Sequence, residues 1–313
     1  MTLTQLEIFS LVAELRGFTS AASRLGISQS AVSHAVKSLE QDLGVELIHR
    51  HQMLIELTDI GQQLLQRARG ILGLAETMRQ EATDARGMKR GTLRIGSFGP
   101  TSSMRLLPSI LDQYRKEYAG IEVHIDEGPD RQVIQWLQDR RIDIGFVVLP
   151  EDKFDTYPLV EDQMVALIPS AHELASRETV TLQDLCSGPF ILTEAGSAEL
   201  VSRLFLSAKL SPNIRYRSSQ VISTLETVAR GDGITILAEL ALPVRGQGAS
   251  GYMQKQLNPQ VKRSVGLAVL DERQSSPAAK AFITLALKLK RLGLLESPPN
   301  AGADNQAEKI AIF

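Results

Sequence analysis

The sequence predicts an α/β chain in three parts: a small helical head at 1–58, a long helix with a hinge at 59–90, and a larger alternating region at 91–296, followed by a tail at 297–313. Three observations carry that division. Residues 18–43 read as two short helices folded across a glycine. The next long segment keeps one apolar stripe at steps of three and four. Beyond it, strand-like and helix-like stretches alternate, the pattern of parallel βαβ units covered by helices.

In the head, Thr19 or Ser20 offers a hydroxyl to cap a first helix carrying Ala21, Ala22 and Leu25, and Gly26 breaks it. Ser28 is the expected N-cap of a second helix, closed at Gly44, whose Val32, Ala35, Val36, Leu39 and Leu43 define one buried face. The opposite face carries Gln29, Ser30, Ser33, His34 and Lys37, short or flexible polar groups suited to base edges and phosphates in a major groove. Small Ala21 and Ala22 suit two helices that cross steeply over a short turn. This is the pattern of a helix-turn-helix with its recognition helix second. An ordinary αα-hairpin shares the spacing, so the flanking segments decide between them. Residues 46–57 have the content of a short hairpin with Arg50 and His51 near its tip, the form of a wing that reaches a phosphate or the minor groove.

Thr58 is the expected cap of the long helix, and Ile60, Leu64, Ala68, Ile71, Ala75, Met78 and Ala82 mark its seam. A stripe on a helix of about 29 residues, roughly 43 Å, exceeds what so small a head can cover and implies pairing with a second chain. The expected dimerisation residues are Ile60, Leu64, Ala68, Ile71, Ala75 and Met78.

The chain resembles the LysR-type transcriptional regulators of bacteria. The resemblance rests on LTQLEIFSLVAELRGFTSAASRLGISQSAVSHAVKSLEQDLGVELIHR at 3–50, LTDIGQQLL at 57–65, LRIGSFG at 93–99, RRIDIGFVV at 140–148 and VARGDGITILAE at 228–239, and it extends over about 2–294. It implies a winged helix-turn-helix, a linker helix and a two-lobed effector domain like the periplasmic binding proteins, with lobe I at about 92–161 and 269–294 and lobe II at about 162–268. It also implies a regulator of transcription that binds a dyad-related operator in double-stranded DNA, pairs into a dimer of dimers, answers to a small molecule and can meet RNA polymerase. Thr19, Gln29, Ser30, Ser33, His34, Lys37 and Arg50 are the candidate DNA contacts. Such proteins often carry basic residues after the Arg50 position, where this chain has His51-Gln52-Met53. Affinity is therefore expected to lean on Lys37 and Arg50.

In the alternating region, strands are expected at 93–98, 121–126, 142–148, 163–169, 189–193, 214–217 and 233–237. Helices are expected at 101–118, 130–139, 198–209, 219–230 and 277–294, with a return through 264–270. The turn from Ser97 to Ser103 feeds a helix N-terminus, where free N–H groups and hydroxyls favour an anion. Ligands of α/β sheets gather at the carboxyl ends of strands, which makes Ser97, Pro100, Thr101, Ser102, Ser103, Phe146, Val148, Thr193 and Ser219 the candidate effector contacts. These hydroxyls could equally serve only as helix caps. Asp130, at the start of the second lobe-I helix, would favour an effector with an amine or several hydroxyls if it faced the cleft.

Composition fits a soluble globular protein of two or three domains: 313 residues, 43% hydrophobic and 22% charged. Without an N-terminal signal pattern or an apolar run of membrane length, a cytoplasmic protein with no membrane partner is expected. The net charge is −2, and residues 1–57 hold four basic groups against six acidic ones, so the basic groups must be focused on one face for DNA binding to work. The lone Cys186 has no intrachain partner for a disulfide. His49 and His51, two apart on a strand, are a weak metal pattern, and Trp136 reads as a core anchor. No nucleophile and base declare themselves. The expected reading is a non-enzyme with no cofactor or metal. The competing reading is a small-molecule binding protein of the periplasmic type, which would carry a secretion signal and no DNA-binding head.

Overall fold

The computed structural model describes residues 1–49, 55–85, 90–195, 198–243 and 251–295. Helix α1 (Leu3–Leu15) opens on a capping box in which Thr2 and Gln5 satisfy each other's backbone N–H. Helix α2 (Phe18–Leu25) begins two or three residues earlier than a cap at Thr19 or Ser20 would give, because Phe18 already turns toward the head core. Its N-cap is Gly17, so Thr19 and Ser20 sit exposed in the first turn and do not cap it. Gly26 ends α2 at φ 66°, and Ile27 N–H reaches back to Ala22 O at 3.1 Å.

Helix α3 (Gln29–Leu43) starts as expected, with Ser28 Oγ accepting from Ala31 N, and stops at Gly44 with φ 70°. Val32, Val36 and Leu39 are fully buried against Phe9, Val12, Ala21 and Ala22. Leu43 departs from this pattern: the last turn of α3 runs past the core and leaves it 36% exposed. The wing is the antiparallel pair β1 (Ile48–His49) and β2 (Glu56–Leu57), with Ile48 opposite Leu57. Buried Glu40 ties it to α3, its Oε1 accepting from Leu47 N at 2.9 Å and Ile48 N at 3.3 Å. Arg50 and the wing tip lie outside the described residues.

Helix α4 (Asp59–Asp84) is capped by Thr58 and has 26 residues, about 39 Å. Its seam divides. Leu65 and Ala68 are buried in the head's own core and Leu64 packs against it, whereas Ile60, Ile71, Leu74 and Met78 remain exposed. Ala68, expected at a dimer contact, is thus spent inside the head. The reason is that α1 lies along the first turns of α4 and takes one flank of the stripe.

The effector region is built on β3 (Gly91–Ser97), β4 (Ile121–Glu127), β5 (Ile144–Leu149), β6 (Asp155–Pro169), β7 (Thr179–Val180), β8 (Pro189–Thr193), β9 (Asn213–Ser218), β10 (Thr235–Ala238) and β11 (Tyr252–Val269). The order β10-β6-β11-β5-β3-β4 runs through one sheet, with β7 on β11, while β8 and β9 pair separately. Parallel β3, β4 and β5 carry α5 (Leu107–Glu117), α6 (Asp130–Gln138) and α9 (Pro277–Arg291) around the lobe-I core, where Trp136 is an anchor. Lobe II holds α7 (Ala198–Ser207) and α8 (Val221–Ala229) over separate cores.

Long antiparallel β6 and β11 pass through both lobes, and their register breaks between Gln256 and Val261 and again at Gly266. A Cβ at Gly266 would stand 2.5 Å from Tyr157 O, so the closeness of the strands there needs glycine. By Ser264, β11 already pairs with Leu149 of lobe I, which moves the return point ahead of the expected 269.

A sharp local prediction follows at the junction of wing and linker, where a Cβ on Gly61 would lie 2.1 Å from the Leu47 carbonyl oxygen. Gly61→Ala should force the wing from α4 and cost about 1–3 kcal/mol or more. A thermal melt of the full chain should show the loss as a lower midpoint, whereas Gly73→Ala, with open space around it, should not.

Candidate DNA interface and ligand cleft

The two helices of the head hold one polar surface outward. Gln29, Ser30, His34 and Lys37 are exposed on α3 and Ser33 is half-buried, all opposite the buried Val32, Val36 and Leu39. Their placement is set from beneath: Gln5 Nε2 of α1 donates to Ser38 Oγ at 3.0 Å, and Ser28 Oγ meets Ser30 Oγ at 2.9 Å. Thr19 lies exposed at the start of α2. The free N–H groups of the first α3 turn, with Gln29 and Ser30 beside them, suit phosphate oxygens and base edges.

In the effector region, the turn after β3 does not present free hydroxyls. Ser97 and Ser102 are fully buried, Ser97 Oγ lies 3.0 Å from Ser102 Oγ and 2.9 Å from Ser103 Oγ, and Ser102 also bonds the backbone of Phe98. Thr101 Oγ1 accepts from Arg263 Nη2 at 2.6 Å. The expected helix at 101–118 opens as a π-helical turn, Thr101–Leu106, before α5, an irregularity that functional sites often carry. Among the other candidates, Phe146 is fully buried in the lobe-I core and is removed from the cleft. The reason is that both faces of the sheet are covered there, so a position near a carboxyl end is not thereby exposed. Val148 is half-buried opposite Val265, Thr193 bonds Thr224 Oγ1 at 2.8 Å, and Ser219 is exposed.

The groups that join the lobes are charged ones that the alternation of small and polar residues does not announce. Arg263 of β11 and Asp162 of β6 are direct cross-strand partners. Arg263 is 4% exposed and Asp162 6%, and Nε and Nη2 reach one carboxylate oxygen at 3.0 and 2.8 Å. The other oxygen accepts from Gln163 N at 2.8 Å and Leu240 N at 3.1 Å. Burial lowers the Arg263 guanidinium, and the charge and hydrogen bonds of Asp162 oppose that shift. Arg105 adds a second bridge, donating from lobe I to the carbonyls of Leu240 at 3.3 Å and Leu242 at 2.9 Å.

Phe98, Gly99, Pro100, Thr101 and Arg263 face Ala195 and Ala241 across a crevice of about 140 Å³ that is closed to a water-sized sphere. A small molecule therefore has no room there in this arrangement and needs the lobes to part. Burial raises the Asp130 carboxyl and Glu199 raises it further, while hydrogen bonds from backbone N–H groups and the charge of Arg263 oppose both. Pro129, not Asp130, is the N-cap of α6.

Comparison with known proteins agrees with this architecture. The family described as the bacterial regulatory helix-turn-helix protein, lysR family, matches residues 3–71, and the LysR substrate binding domain matches 86–290. This chain belongs to the LysR family. It is 33% identical over 291 residues to the HTH-type transcriptional regulator YvbU of Bacillus subtilis, covering 92% of this chain and 99% of that one. Its fold matches full-length OxyR from Pseudomonas aeruginosa at a TM-score of 0.71 and 24% identity, over 93% of this chain and 98% of that one. It likewise matches CbnR in complex with its target DNA at 0.61 and 23% identity, over 93% and 100%.

A double-mutant test isolates the lobe junction. Arg263→Met should leave Asp162 buried and uncompensated, at a cost of about 3–5 kcal/mol, while Arg263→Met with Asp162→Leu should recover part of it. Urea unfolding of both variants gives the comparison, and equal losses would place the cost elsewhere.

Proposed function

We propose that this LysR-family regulator is a cytoplasmic homo-oligomer that reads a dyad-related operator with α3 and the wing, under the control of a small-molecule effector held between the lobes. The observation that carries this reading is the exposed polar face of α3, fixed by the Ser28 cap and by Gln5 of α1 on a head with its own core. The chain acts by binding, not by catalysis. No helix among the described residues is long and apolar enough to cross a membrane.

Assembly follows from what the protomer leaves uncovered. Ile60, Ile71, Leu74 and Met78 form the open side of the linker helix and pair with a second chain. The effector region offers a second contact: β4 is an edge strand carrying Glu122, Asp126 and Glu127, and β9 is an edge strand carrying Arg215 and Arg217. Opposite charges on two open edges suit β4 of one protomer to β9 of another, which yields the dimer of dimers.

The effector enters the crevice near Thr101 and Arg263, and the arginine favours an anionic group. Because Thr101 and Arg263 are already bonded to each other, the ligand has to exchange those contacts as the lobes part. Control by thiol oxidation is disfavoured. Cys186 is the sole cysteine, and burial pushes its thiol up, away from the reactive thiolate.

Lys37→Ala should weaken binding to DNA selected from a random duplex pool by the unaltered chain, and should flatten the salt dependence by about one unit of log–log slope. A gel-shift titration across salt gives both quantities. Unchanged binding would move the contact surface off α3.

Ile71→Glu should bury an unpaired charge in the linker contact and split the oligomer. Light scattering that returned the parent's mass would show that α4 does not pair chains.

A further inference from the structure

Beyond its exposed seam, α4 makes a separate set of contacts with lobe I of its own chain. Near its start, Gln66 Nε2 donates to Asp139 Oδ1 at 3.0 Å, and the Arg140 side chain lies over Gly70, 3.4 Å from where a Cβ would stand. Near its end, Gln80 is 2% exposed and donates to Thr92 O at 2.9 Å. Gly91 makes room for it, since a Cβ there would meet the Gln80 side chain at 2.7 Å. The two attachments are 14 residues apart, about 21 Å along the helix. Two anchors at that distance fix a direction, where one would leave a pivot.

The first anchor is the C-terminal corner of α6. Arg140 adopts a left-handed conformation, φ 52°, which is costly for a residue with a Cβ and turns the chain toward α4. Asp139 is held ready by a second donor, Gln135 Nε2 at 3.0 Å. The other end of α6 belongs to the cleft: Gly128 N–H bonds Ser97 O at 3.1 Å, directly behind the turn that carries Thr101.

Between its ends α6 lies hard on the sheet. A Cβ on Gly145 would stand 2.7 Å from Leu137 and 2.9 Å from Val133, and one on Gly96 would stand 3.0 Å from Val133. A helix seated on two glycines has no room to slide or tilt relative to β3 and β5, so a displacement at one end reaches the other.

We propose that α4 is latched to lobe I of its own chain through the Asp139 corner and the Gln80 clamp, and that α6 carries the state of the cleft to this latch. The direction of α4, and with it that of the DNA-binding head, is then set by the two anchors on lobe I. This rests on the effector-controlled regulator reading above and specifies how the control is transmitted.

The test uses the full chain with Cys186→Ser. Gln66→Cys combined with Asp139→Cys, treated with a short bis-maleimide, should give an intrachain link identified by mass spectrometry. No link, or links only between chains, would overturn the latch.

Transmission is read as a double-mutant cycle on DNA selected from a random pool by the unaltered chain. Arg105→Ala, which removes the bridge to Leu240 and Leu242, should shift DNA affinity by about fivefold or more. With Asp139→Ala added, a change that leaves both cores intact, that shift should fall to within about twofold. An equal shift with and without Asp139, or no shift from Arg105→Ala, would overturn the transmission. If the unaltered chain selects no DNA sequence, the regulator reading fails, while the cross-link still decides the latch.

Discussion

The buried Arg263–Asp162 pair is the constraint on which the two-lobed region depends. Lobe I and lobe II have separate cores, and what crosses between them is chiefly β6 and β11. Two strands alone would leave the lobes free to twist. The ion pair stands at the crossing and spends its remaining bonding capacity on both sides, on Thr101 of lobe I and on the backbone of Leu240 beside lobe II. Removing one partner would leave the other charge buried and uncompensated, so single changes at the crossing are costly.

The head follows a different logic, in which most of the work is local. Helix stops at Gly26 and Gly44 and a hydroxyl cap at Ser28 are short-range effects, and each was legible in the sequence because each depends on one residue's own conformational preference. The start of α2 was not legible in this way. Phe18 enters the core and draws the helix back, a tertiary effect that overrides the capping preference of Thr19 and Ser20. Ala68 shows the same limit: a stripe at steps of three and four marks what is buried, but not whether the cover comes from the same chain or another.

In the effector region the βαβ alternation was readable, and with it the fold class. Two things were hidden. The first half of β11 alternates polar and exposed residues beside a register break, so it lacks the apolar phase that announces a strand. The cleft's charged groups were hidden because Arg263 and Asp162 look like surface residues by type. The available signal was phase: Arg263 stands in step with buried Val265 and Leu267, and Asp162 with buried Met164 and Ala166. A charge in the inward phase of a strand needs a partner, and the opposite strand supplies it. The hydroxyls at 97–103 attracted attention by type as well, yet all four are engaged within the protein.

The closed crevice has a consequence for how tightly a ligand is held. If the open arrangement is the one that admits the ligand, the measured dissociation constant is the intrinsic one divided by the open fraction. Arg105, which bridges the lobes through the carbonyls of Leu240 and Leu242, then sets sensitivity as much as any contact residue does. Loosening that bridge would make the protein respond to lower concentrations without altering which molecule it prefers, so dose and specificity can evolve at different residues.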